Sequence, residues 1–135
     1  MKNIILGLSF LLVSSFGLAQ EKQYKLSTHI LDISEGVPAA NVMIKLEKQN
    51  NDTKTWEFVS QKQTGENGRI SDFLPSEVNN HGLYKFTFFV KEYYEKKEKE
   101  TFYPFIEVVF EIKDNKHYHV PITLSAFGYS TYRGS

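Results

Sequence analysis

Leu83-Tyr84-Lys85-Phe86-Thr87-Phe88-Phe89-Val90 decides the fold class. Tyr84, Phe86 and Phe88 recur at every second residue, so an extended chain presents all three on one face. Phe105–Lys113 repeats the pattern, with Ile106, Val108, Phe110 and Ile112 in phase. Upstream, Val42, Ile44 and Leu46 alternate with Met43, Lys45 and Glu47. Tyr24–Leu31 and Trp56–Thr64 are rich in strand-forming residues, and His117–Leu124 and Tyr129–Tyr132 complete the set. Turn residues separate these runs: Gly36 and Pro38, then Asn50-Asn51-Asp52, then Gly65-Glu66-Asn67-Gly68. Many short alternating strands between turn signals indicate an all-β antiparallel sandwich. Asn67-Gly68 has the composition of a type I′ hairpin turn, whose two central residues both need positive φ. Lys91–Glu100 (KEYYEKKEKE) breaks the pattern. Its charges pair at helical spacing, Glu92 with Lys96 and Glu95 with Lys99, which predicts one short solvated helix.

The chain has 135 residues, enough for one domain. Its first 19 residues have the layout of an export signal. Lys2 is the basic start, Ile4–Val13 is apolar, and Gly17-Leu18-Ala19 is a small-residue cleavage pattern. The expected domain is therefore residues 20–135, delivered to the periplasm or outside the cell, with no membrane attachment once the signal is removed. Basic and acidic side chains balance at 16 each, which leaves no electrostatic footprint for nucleic acid. There is no cysteine, which excludes thiol nucleophiles, thiolate-bound zinc and disulfide staples. The core must hold the domain, and 11 Phe supply material for one.

Four histidines are available for chemistry, at positions 29, 81, 117 and 119. His117 and His119 share one strand face, while Tyr118, Val120, Ile122 and Leu124 form the apolar opposite face. The histidines therefore look outward, to solvent or to another subunit. Pro121 lacks an N–H for a ladder and marks an edge or irregular strand. Three readings of His-x-His stay open on the residues alone: a metal pair, a catalytic base, or a polar strand face. His29 shares face parity with Lys25, Ser27 and Leu31. Arg69 follows the Asn-Gly turn, and His81 lies in a loop with no assigned role.

Five segments, in order, resemble one family. They are Ser27-Thr28-His29-Ile30-Leu31-Asp32 followed by Gly36-Val37-Pro38-Ala39-Ala40-Asn41-Val42; Thr64-Gly65-Glu66-Asn67-Gly68-Arg69; Phe102-Tyr103-Pro104; His117-Tyr118-His119-Val120-Pro121; and Tyr132-Arg133-Gly134-Ser135. Over residues 24–135 the chain is similar to the 5-hydroxyisourate hydrolases of the transthyretin-like family. Ala126 and Phe105 depart from the family pattern of a proline and a carboxylate at those places. The resemblance implies a transthyretin-like (prealbumin-like) antiparallel β-sandwich with one short helix. It implies a homotetramer with sites in a central channel, and hydrolysis of 5-hydroxyisourate in urate breakdown without metal or cofactor. It assigns catalysis to His29, Arg69 and His119, and substrate binding to His29, Arg69, Tyr132 and Ser130. The hormone carrier of the same fold lacks the histidines and the Tyr-Arg-Gly-Ser run. Two other classes remain: a non-catalytic binding module of exported proteins, and a His-x-His metal binder.

Overall fold

The alternating runs fold into strands that lie in two layers. In the computed structural model, which describes residues 23–135, one layer contains β3 (Met43–Gln49), β4 (Trp56–Gln63), β6 (Gly82–Phe88) and β7 (Ile106–Ile112). Their order is β4-β3-β6-β7, antiparallel throughout. The other layer is built around β1 (Tyr24–Asp32). One side of β1 pairs with β5 (Arg69–Pro75) and the short β2 (Val37–Pro38). The other side pairs with β8 (Tyr118–His119) and β9 (Ile122–Ser125), and β10 (Gly128–Thr131) follows β9. The expected export signal lies outside the described residues.

The apolar faces read from the sequence meet between the layers. Tyr84, Phe86 and Phe88 of β6 are buried, as are Ile44 and Leu46 of β3 and Ile106, Val108 and Ile112 of β7. They pack with Leu26 and Ile30 of β1, Ile70 and Phe73 of β5, and Ile122 and Leu124 of β9. Phe73 and Phe86 touch across the layers, ring centroids 5.1 Å apart. Burying one such side chain contributes about 1.5–3 kcal/mol, so this core is sufficient reason for a cysteine-free domain to hold together.

β1 runs parallel to β8 and β9, so this layer is mixed. Parallel neighbours need a long crossover, and here the crossover includes the whole opposite layer. Pro121 interrupts the strand as expected, but not at an edge. The pairing offset with β1 is the same before the gap (Ser27 with His119) and after it (Ile30 with Ile122). On the far side, Gly134 bridges to His119 in the register that β10 keeps with β9. Ala126, where the family pattern has proline, is tied down through its carbonyl, which accepts from the Phe102 N–H (2.9 Å) and the Thr101 hydroxyl (2.8 Å).

Two local expectations need correction. The helix α1 spans Lys91–Lys96 rather than Lys91–Glu100, because Lys97 closes it and Glu98 turns to a left-handed φ of 56°. Its ion pair is Lys91 with Glu95, not the two expected pairs, and Lys97 and Lys99 both reach Glu35 instead. Nor is it simply solvated. Tyr93 and Tyr94 are buried, and the Tyr93 hydroxyl donates to Asp32 at 2.7 Å, which fastens the helix to the end of β1. The Asn-Gly turn also differs from the hairpin expected. Only Gly68 takes positive φ (72°), and its N–H closes the turn onto the Gly65 carbonyl at 2.9 Å. β4 and β5 lie in different layers, so the turn is a corner between sheets. Gly68 is needed there because a Cβ would lie 2.7 Å from the Ile30 carbonyl oxygen. That close approach brings the residue after it, Arg69, alongside β1.

Candidate active site

Pairing register alone gathers the candidate residues. His29 of β1 stands directly opposite Arg69 of β5, and Ser27 of β1 stands directly opposite His119 of β8. Ser27 and His29 are two apart, so both use the outer face of the sheet, away from the core. Three segments distant in sequence thus contribute to one surface, set by the backbone pairing of one sheet. Arg69 is exposed, and its backbone N–H donates to the Asn67 side chain at 3.0 Å, which fixes the corner.

Ser27, itself buried, is the hub of a hydrogen-bond chain that runs outward to the exposed His117. Its hydroxyl lies 2.8 Å from Nε2 of His117 and 2.8 Å from Nδ1 of His119. Nδ1 of His117 lies 3.0 Å from the backbone carbonyl of Tyr24. Lys25, on the same strand face, is buried and donates to Asn115 at 3.1 Å. The two histidines of the His-x-His pair therefore both turn a ring nitrogen to Ser27 rather than to each other. Among the described residues, no group of three or more His, Cys, Asp or Glu side chains is placed to hold a metal ion.

The electrostatics suit base chemistry. Burial holds the His29 imidazole below its ordinary value, and the Arg69 guanidinium adds to the effect; a hydrogen bond to the Asn67 backbone opposes both. Burial likewise holds His119 down, joined by Arg69, His29 and His117. Both imidazoles sense the same arginine, as groups sharing one site do. Each is neutral near pH 7, with a lone pair available for a proton.

The C-terminal run closes one side of this surface. The Gly134 N–H donates to the His119 carbonyl at 2.8 Å. A Cβ at Gly134 would overlap the His119 imidazole, so glycine makes room for the ring. The Arg133 guanidinium stacks over the Tyr118 ring at 4.4 Å and pins the run to the sheet.

A family model described as HIUase/Transthyretin matches residues 26–134, a span that carries Ser27, His29, Arg69, His117, His119 and Gly134. The chain belongs to the HIUase/Transthyretin family. Among relatives of this family, the chain is 46% identical to a probable 5-hydroxyisourate hydrolase of Caenorhabditis elegans, over 82% of this chain and 81% of the relative. It is 43% identical to a 5-hydroxyisourate hydrolase of Salmonella dublin, over 82% and 80%. Among solved structures, the 5-hydroxyisourate hydrolase of Klebsiella pneumoniae superimposes with a TM-score of 0.70 at 34% identity, over 82% of this chain and 98% of that one. Sea bream transthyretin in complex with thyroxine superimposes with a TM-score of 0.76 at 28% identity, over 82% and 94%. The HIUase/Transthyretin sandwich expected from the sequence is thus the fold found.

Not every residue expected in the site of this family member is joined to it. His29, Arg69 and His119 converge. Ser130 lies two strands from β1, on the rung Leu31–Thr123–Ser130, and its hydroxyl meets that of Thr123 at 2.5 Å. Tyr132 is 58% exposed, and among the described residues its phenol makes no hydrogen bond to His29, Arg69 or His119. It lines a cleft with Val109, Lys113, Tyr118 and Arg133 at the open edge of β7. Ser27 and Gly134 had no assigned role from the sequence, and His117 had only the open readings of the His-x-His pair. Face parity put Ser27 beside His29, but its partners are set by a register between residues 92 apart in sequence.

Proposed function

We propose that this protein hydrolyses 5-hydroxyisourate to 2-oxo-4-hydroxy-4-carboxy-5-ureidoimidazoline, a step of urate breakdown. The observation that carries the reading is the convergence of two neutral imidazoles, His29 and His119, with the Arg69 cation on one sheet face. Water is a weak nucleophile, and one imidazole takes its proton as its oxygen attacks the ring carbonyl. The other imidazole orients the water or the substrate. Negative charge develops on the carbonyl oxygen, and Arg69, permanently cationic, stabilises it or grips the urate-like edge with two N–H groups. The C–N bond then breaks, the proton passes to the departing nitrogen, and a carboxylate remains. The reaction consumes only water, because the imidazole gives back the proton it takes, and in this reading the base and the cation act without metal or cofactor. The carrier reading finds less support, because hormone binding has no use for two neutral imidazoles paired with a cation.

The pH dependence tests this reading. The base works only when neutral, and both imidazoles are held below the ordinary value of about 6.5. The rate constant kcat/KM is expected to fall as pH drops through a value below 6.5, and to stay flat from there through neutrality. Initial rates of 5-hydroxyisourate loss, corrected for spontaneous decay, give the profile. A profile still climbing above pH 7 is incompatible with a depressed imidazole acting as base.

In this reading the working form is a homotetramer whose channel is lined by the histidine face, with Tyr132 and Ser130 binding substrate. The support is that Arg69, His117 and Tyr132 all lie exposed on one chain, so a neighbouring copy is needed to exclude water from the reacting carbonyl. Light scattering is expected to give four times the protomer mass, as a closed symmetric assembly requires. An active monomer at micromolar concentration would rule the channel out.

A further inference from the structure

We propose that Ser27 and His117 are positioning residues that lock the proton of His119 on Nδ1 and leave its Nε2 bare to act as the base; this rests on the hydrolase reading above. The donor directions follow from one fixed point. The Tyr24 backbone carbonyl can only accept, so the nitrogen 3.0 Å from it, Nδ1 of His117, carries a hydrogen. A neutral imidazole has one N–H, so in the neutral His117 ring Nε2 is a lone pair. That lone pair lies 2.8 Å from Ser27 Oγ, and the serine hydroxyl must donate its single hydrogen to it. Ser27 Oγ then has only lone pairs to offer His119, whose Nδ1 lies 2.8 Å away and must donate. In the neutral His119 ring the remaining nitrogen, Nε2, therefore has no hydrogen.

The chain of donation runs from His119 to Ser27, to His117, to the Tyr24 carbonyl. The sheet holds each link in place. Ser27 and His119 are directly paired, the Val120 N–H donates to the Ser27 carbonyl at 3.0 Å, and the Thr28 hydroxyl donates to the Val120 carbonyl at 2.7 Å. Ser27 is 8% exposed, so water competes poorly for its hydroxyl. Among the described residues Nε2 of His119 has no protein hydrogen-bond partner. When water transfers its proton, an O–H bond breaks and an Nε2–H bond forms, while Nδ1–H stays bonded to Ser27. No proton has to leave the far side of the ring, and the chain is the same before and after transfer.

The tautomer is directly observable. Two-bond ¹H–¹⁵N spectra of histidine-labelled protein, above pH 7 and without substrate, are expected to show His119 with its hydrogen on Nδ1. Ser27→Ala removes the acceptor and is expected to populate the Nε2–H form. It should lower kcat on the order of ten-fold with KM little changed, less than a group locking the wrong tautomer costs. Ser27→Thr keeps the hydroxyl and should restore both. His117→Ala, at an exposed position, leaves Ser27 in place but frees its hydrogen to point at His119, so the Nε2–H form should again appear. Wild-type His119 found as the Nε2–H form overturns the lock, as does a Ser27→Ala protein whose His119 tautomer is unchanged. The spectra need no turnover. Failure of the hydrolase reading would appear separately, as a wild-type protein with the Nδ1–H form and no effect on 5-hydroxyisourate.

Discussion

His119→Ala is expected to lower kcat/KM for 5-hydroxyisourate by about 10²–10⁴, the usual loss when a positioned general base is removed. The fold should survive. His119 lies on the outer sheet face, while its neighbours Tyr118 and Val120 supply the buried packing of that strand. The backbone bonds that seat the strand, Val120 to Ser27 and Gly134 to His119, do not use the imidazole. The change also leaves Ser27 hydrogen-bonded to His117. Melting temperature and oligomeric state are the controls, and the rate is read from the ultraviolet absorbance of the substrate. A variant with intact structure and a rate within three-fold of wild type would remove His119 from the reaction.

Arg69→Ala is expected to cost on the order of 10²–10³ in rate, the range seen when one group stabilising an oxyanion is deleted. It has a second signature that a purely structural arginine would not show. Arg69 is the strongest charge lowering both His29 and His119, after burial. Without it, each imidazole holds its proton to higher pH, so the acidic limb of the rate profile should move upward. Arg69→Lys keeps a charge but not the planar two-pronged donor, and should recover the position of the limb better than the rate. A profile that stays in place in Arg69→Ala would show that the guanidinium does not act on the base.

Much of the architecture was legible in the chain because strand faces are written at a period of two. Tyr84, Phe86 and Phe88 show this, as do Tyr118, Val120, Ile122 and Leu124, all buried on the face assigned to them. The outward direction of His117 and His119 followed from the same alternation. Charge spacing was a poorer guide to the helix. Lys97 and Lys99 fit a continuing helix equally well, but Glu35 on a distant turn holds them both. Asn67-Gly68 signalled a turn, and its type depended on Gly68 being pressed against β1, a contact no local pattern encodes. The site divides similarly. Residue type and motif order pointed to His29, Arg69 and His119, and cross-strand register brings them together. Ser27 and Gly134 were out of reach, because a hydroxyl between two imidazoles and a missing Cβ beside a ring are properties of pairing between strands far apart in the chain. Tyr132 and Ser130 came from resemblance alone, and the single chain does not join them to the histidines.

The proposed activity of this sheet face is hydrolysis of 5-hydroxyisourate. The most direct measurement follows freshly generated 5-hydroxyisourate by ultraviolet absorbance, with and without the purified protein at catalytic concentration. Rapid loss well above spontaneous decay, with the ring-opened ureidoimidazoline as product, is the expected result. Loss at the spontaneous rate, from a correctly folded protein, would contradict it and leave a binding module in its place.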